Sequence, residues 1–87
     1  MWLKFTNAYD IPMALNTDNV TTFFVGKYTS YDNSNEKLVE IVRWNVYACM
    51  TYGEDICIAS LLTKEGAIDL MDTISEPINY RDGVLKI

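Results

Sequence analysis

Leu38-Val39-Glu40-Ile41-Val42-Arg43-Trp44-Asn45-Val46-Tyr47-Ala48-Cys49-Met50-Thr51 is the stretch on which the fold turns. From Val42 onward the even positions are Val42, Trp44, Val46, Ala48 and Met50, and the odd ones are Arg43, Asn45, Tyr47, Cys49 and Thr51. Successive side chains of an extended chain point to opposite faces. A period of two therefore predicts a long strand with one core face and one wetter face. Gly53-Glu54-Asp55 turns the chain, and Ile56 to Leu62 returns as a further strand. A three-residue loop centred on Gly53 would set Cys49 opposite Cys57, whereas a two-residue loop would not, so spacing leaves a disulfide undecided.

Working outward, Val20 to Tyr28 is dense in β-branched and aromatic residues and reads as a strand. The polar stretch Thr29 to Lys37 reads as an exposed hairpin loop. Its segment Asp32-Asn33-Ser34-Asn35-Glu36 is rich in oxygen ligands but lacks the glycine and the distant bidentate glutamate that a calcium loop requires. Trp2 to Thr6 is a short strand, Asn7 to Asp10 a turn, Pro12 to Leu15 an extended re-entry, and Asn16 to Asn19 a second turn built on side chains that bond their own backbone. Downstream, Thr63 can cap a helix, with Glu65 complementing its dipole. Ala67, Ile68, Met71 and Ile74, with Leu70 beside them, form an apolar stripe that Glu76-Pro77 ends. An Asp82-Gly83 turn separates two short extended pieces of the tail. The expectation is a single α+β domain over residues 1–87: a bent antiparallel sheet of about five strands packed on one C-terminal helix.

Composition narrows the function classes. The chain has 87 residues, 49% hydrophobic, with 7 basic and 12 acidic side chains, a net charge of −5 and no histidine. Without histidine there is no histidine general base and no His-ligated zinc. Net acidity argues against binding a nucleic-acid backbone directly. The apolar runs are too short for a membrane-spanning helix. Met1-Trp2-Leu3-Lys4-Phe5 leads into polar residues rather than the apolar run of a secretory leader, so a reduced, cytoplasmic setting is expected. No metal site and no cofactor is expected. Trp2 and Trp44 are expected in the core, where truncation to alanine costs ~3–5 kcal/mol.

Pro12-Met13-Ala14-Leu15-Asn16 followed by Val20, and Tyr52-Gly53-Glu54-Asp55-Ile56-Cys57-Ile58 leading into Thr63 to Ile74, carry a resemblance. Their order is similar to that of the small flagellar FlbD-like proteins and many short phage proteins. These have a "Pro-x-x-Leu-Asn" re-entry before an aliphatic strand, then a "Gly-x-x-Ile" hairpin running into one amphipathic helix. The polar stretch at 29–37 and the tail after Pro77 depart from that pattern. What the resemblance implies is a fold, not an activity.

Two constellations bear on function. Glu65, Asp69, Asp72 and Glu76 fall at i, i+4, i+7 and i+11, on one side of the helix, and could steer a basic partner. The charge is uneven: residues 1–53 hold 4 basic and 5 acidic side chains, residues 54–87 hold 3 and 7. Lys27, Arg43, Tyr47, Tyr80 and Arg81 form an aromatic and cationic set, suited to a subunit contact or to stacking on a small nucleotide. The expected function is a non-catalytic protein that occludes a partner's basic surface through the acidic helix face, in the manner of phage-encoded inhibitors of bacterial defence acting in the host cytoplasm. Alternatives are an oligomeric protein that sequesters a nucleotide signal, with the aromatic-cationic set meeting across a subunit boundary, and a structural or assembly subunit.

Overall fold

In the computed structural model, which describes residues 1–33 and 37–87, the 42–50 alternation is realised in the central strand of a three-stranded meander. The elements in chain order are β1 (Trp2–Thr6), β2 (Pro12–Asn16), a 3-10 turn (Thr17–Asn19), β3 (Val20–Asp32), β4 (Val39–Met50), β5 (Asp55–Leu61), α1 (Lys64–Ser75), a second 3-10 turn (Pro77–Asn79) and β6 (Val84–Lys86). The class is α+β, as expected. The sheet is not one bent sheet of about five strands: six strands form two three-stranded sheets, ordered β3-β4-β5 and β2-β1-β6. The break falls between β2 and β3, which follow one another across the Thr17–Asn19 turn without pairing, and the tail adds its strand to β1. Of the two short extended pieces expected in the tail, the first shrinks to a single bridge, Arg81 to Val84, across an Asp82-Gly83 turn with both residues at positive φ. β6 then runs parallel to β1, held by Trp2 N–H to the Gly83 carbonyl at 2.7 Å and Ile87 N–H to the Lys4 carbonyl at 3.0 Å. No helix among the described residues is long and apolar enough to cross a membrane.

The even face of β4 makes the core. Val46, Ala48 and Met50 are buried with Ile58 of β5, Ala67 and Ile74 of α1, and Leu3, Phe5 and Leu15 of the second sheet. The register between β4 and β5 slips after Tyr47↔Cys57, and the extra residue, Ile58, is turned into the core. Trp44 packs against this cluster, but Trp2 does not: it is 48% exposed, because Leu3 and Phe5 take the inward positions of β1. Ile68 is likewise 36% exposed, and the helical stripe that packs inward is Ala67, Leu70, Met71 and Ile74.

Turn and cap chemistry follow the local sequence. Thr63 Oγ1 accepts from Gly66 N–H at 3.0 Å, and Asn16 Oδ1 accepts from Asp18 N–H at 3.0 Å. The end of α1 is closed by the tail. Tyr80 O–H donates to the Ile74 carbonyl at 2.7 Å and Asn79 Nδ2 to the Thr73 carbonyl at 2.9 Å, satisfying carbonyls that a helix end leaves free.

The 29–37 stretch is not a loop along its whole length. β3 runs to Asp32 and pairs with β4 as far as Asp32↔Val39, while residues 34–36 lie outside the described residues. β5 pairs only with Trp44 to Cys49, so Tyr28–Asp32 and Val39–Arg43 form a two-stranded ribbon beyond the third strand. The overall extents are 50 × 25 × 22 Å.

Truncating Leu3 or Ile74 to alanine is expected to lower the unfolding free energy by about 2–5 kcal/mol in urea titration, and Ile68→Ala by clearly less. Burial also pushes the Tyr80 phenol above its ordinary value of 10.0. The unfolded chain then ionises first. Stability from this group is complete below about pH 10 and is lost as pH rises through the raised folded value. Tyr80→Phe should therefore flatten the alkaline fall in melting temperature while lowering stability by about 1 kcal/mol at neutral pH.

Candidate functional site

At 100° per residue the four acids of the helix lie roughly opposite its core stripe of Ala67, Leu70, Met71 and Ile74. Glu65, Asp69 and Asp72 are exposed on α1, and Glu76 is exposed as its C-terminal cap residue. Among the described residues the one ion pair is between the Met1 ammonium and Asp18, at 3.6 Å, so none of the four helix carboxylates is neutralised. The lysine next to them in sequence is engaged elsewhere. Lys64 Nζ sits 5.7 Å from the centre of the Trp44 ring, and Lys27 Nζ 6.0 Å from it, within cation–π reach. The meander thus draws two cations onto one indole and leaves the outer side of α1 with a negative field.

The aromatic-cationic set does not converge within one chain. Lys27 pairs with Trp44 on the core-facing side of the meander, whereas Arg43 and Tyr47 occupy the opposite side. Tyr80 is in the core, its hydroxyl spent on the helix end, and Arg81 is exposed beside the tail turn. A strand changes face at every residue, so 27 and 43 cannot meet.

The odd face of β4 instead gathers Arg43 and Tyr47 with Phe24, Gly26 and Asn45, three residues not singled out from the sequence. The Tyr47 ring lies over Gly26, where an added Cβ would sit 3.1 Å from Cε2, and stacks on Phe24 with centroids 5.0 Å apart. Asn45 is 8% exposed. Its Nδ2 donates to the Tyr47 hydroxyl at 3.0 Å, and its Oδ1 has no donor among the described residues. The Arg43 guanidinium donates to the Val42 carbonyl at 3.2 Å. The alternation of Phe24, Gly26 and Tyr28 is the available signal in the sequence, but it acquires meaning only once the register sets Phe24 against Tyr47 and Gly26 against Asn45.

A groove of about 510 Å³ runs between β5 and the β1–β2 hairpin, floored by Phe5 and Ile58 and rimmed by Tyr9, Met13 and Cys57. It contains none of the anticipated site residues and no charged group. Cys49 pairs across the strands with Asp55 rather than Cys57, and both cysteines are free. A hydrogen bond to Asp55, then burial and the Asp55 charge, push the Cys49 thiol up; burial does the same for Cys57, partly offset by a bond to the Ala59 backbone. Thiols held protonated are poor nucleophiles. Among the described residues no three Cys, Asp or Glu side chains cluster as a metal cage would require.

No known protein family, characterised protein or solved structure matches the chain.

Asp55→Asn should speed alkylation of Cys49 by iodoacetamide at pH 8 and leave the rate at Cys57 unchanged, read by mass spectrometry of the labelled peptides; equal rates at Cys49 in both proteins would remove Asp55 as the cause of its low reactivity.

Proposed function

We propose that this protein is a non-catalytic binding protein that occupies a basic surface on a protein partner through the outer side of α1. The observation that carries the proposal is the uncompensated row of Glu65, Asp69, Asp72 and Glu76, set opposite the core while Lys27 and Lys64 are held at Trp44. A row of carboxylates on a convex helix has no cleft in which to position a substrate, and the two thiols are held in their less reactive form. What such a face does well is steer and hold an arginine- or lysine-rich surface. A phage-encoded inhibitor of a bacterial defence protein, working in the host cytoplasm, is a role this suits: blocking a basic groove takes shape and negative charge and no chemistry. The nucleotide-sequestering alternative has no comparable support, since its five residues are dispersed within the chain.

The test compares binding to immobilised poly-L-lysine. Converting Glu65, Asp69, Asp72 and Glu76 together to their amides should weaken binding at least about fivefold, at ~0.2–1 kcal/mol per exposed pair, and flatten its salt dependence. Converting Asp10, Asp18, Glu54 and Asp82 instead removes the same charge from elsewhere and should weaken it far less. Equal losses in the two variants would mean that net charge alone binds, and the helix face would cease to be a site.

A further inference from the structure

The face of the meander that turns away from α1 has no layer over it, and we infer that a second copy of this chain covers it, two meanders packing back to back about a two-fold axis. None of the apolar residues on this face, Phe24, Tyr28, Ile41 and Tyr47, belongs to the core or packs against it. The tail, which could have covered them, is committed to the other side by Tyr80 and by β6.

Three observations select a second copy as the occupant. The first is area. Twelve residues of β4 at ~3.4 Å, two long strands at ~4.8 Å spacing and the shorter β5 give about 500 Å² of plane surface. Side-chain relief raises that toward the ~600–800 Å² per partner of stable pairs. Gly26 has no side chain of its own, and the Tyr47 ring fills the space above it.

The second is charge. By register, Arg43 is the one cation among the described residues of this face, Asp32 and Asp55 lie at its two ends, and no described residue at its centre is a carboxylate. Two copies of a chain with a net charge of −5 repel each other through α1. Back-to-back pairing puts two sheets between the helices and separates their acids by several ~10 Å layers, beyond the ~8 Å Debye length. No face nearer α1 offers this.

The third is exposure. Tyr28, which pairs with Arg43 near the middle of this face, is 52% exposed, and Val39 toward one end is 49% exposed. A two-fold axis passing near Arg43 sets these side chains of each copy on the face of the other, a self-complementary contact. Pairing of this kind leaves both acidic helix faces outward, so it is independent of the binding role proposed for them.

Light scattering on a size-exclusion column at about 100 µM, above the micromolar end of affinities for such an interface, should return twice the 10.0 kDa monomer mass. The double variant Tyr28→Asp with Ile41→Asp sets like charges against each other and should run as a monomer with unchanged far-ultraviolet circular dichroism. Tyr28→Ala, a milder change, should weaken association at least about fivefold, while Glu65→Gln should not weaken it. Wild type running at the monomer mass overturns the inference whatever the variants do, as does a dimer that survives both changes at Tyr28.

Discussion

Everything in this molecule depends on the two-residue period of β4. As the middle strand of the meander, β4 has its backbone groups paired on both sides, and its even side chains meet α1 and the second sheet. A slip of one residue would exchange Val46 and Ala48 for Tyr47 and Asn45 in the core, so burial enforces the register. The bulge that turns Ile58 inward fits the shorter β5 to that arrangement without disturbing it. The other elements contribute to a core whose position β4 has set: Leu3, Phe5 and Leu15 close one end, and Ala67 and Ile74 lie across the face.

The same period sorts charge and aromaticity. Trp44 faces inward and has Lys27 and Lys64 at its ring, so these two cations sit on the core-facing side of the meander. Arg43 and Tyr47, one and three residues away, face outward with Phe24 and Asn45. The result is a molecule with two unlike surfaces, an acidic convex helix and a nearly neutral, aromatic sheet, on opposite sides of one layered core. Such segregation follows from an amphipathic helix laid on an amphipathic strand, since each element must turn its second face to solvent or to a partner.

Size adds a further constraint. A chain of 87 residues buries only a modest fraction of its surface, so its stability margin is thin. Yet β3 and β4 run past the third strand as a two-stranded ribbon, an arrangement that is marginal by itself. The tail works the other way. Tyr80 and Asn79 tie off the end of α1, and β6 joins the edge of the second sheet, which accounts for how closely a short terminal segment is held.

The local features are legible in the order of the residues alone: the alternation from Val42 to Met50, the Thr63 cap, the side-chain-to-backbone turn at Asn16, the Asp82-Gly83 turn and the acidic side of the helix. Each is set by dihedral preference, hydrogen bonding or periodicity within a few residues, information that the sequence carries in place. The split into two sheets, the exposure of Trp2, the burial of Tyr80, the continuation of β3 through a polar stretch and the Phe24–Tyr47–Asn45 surface are not legible there. They depend on which strand lies beside which, and with what register. Strand pairing joins residues far apart in the chain, and neither composition nor spacing encodes the partner; the choice is made only when the whole core is buried at once.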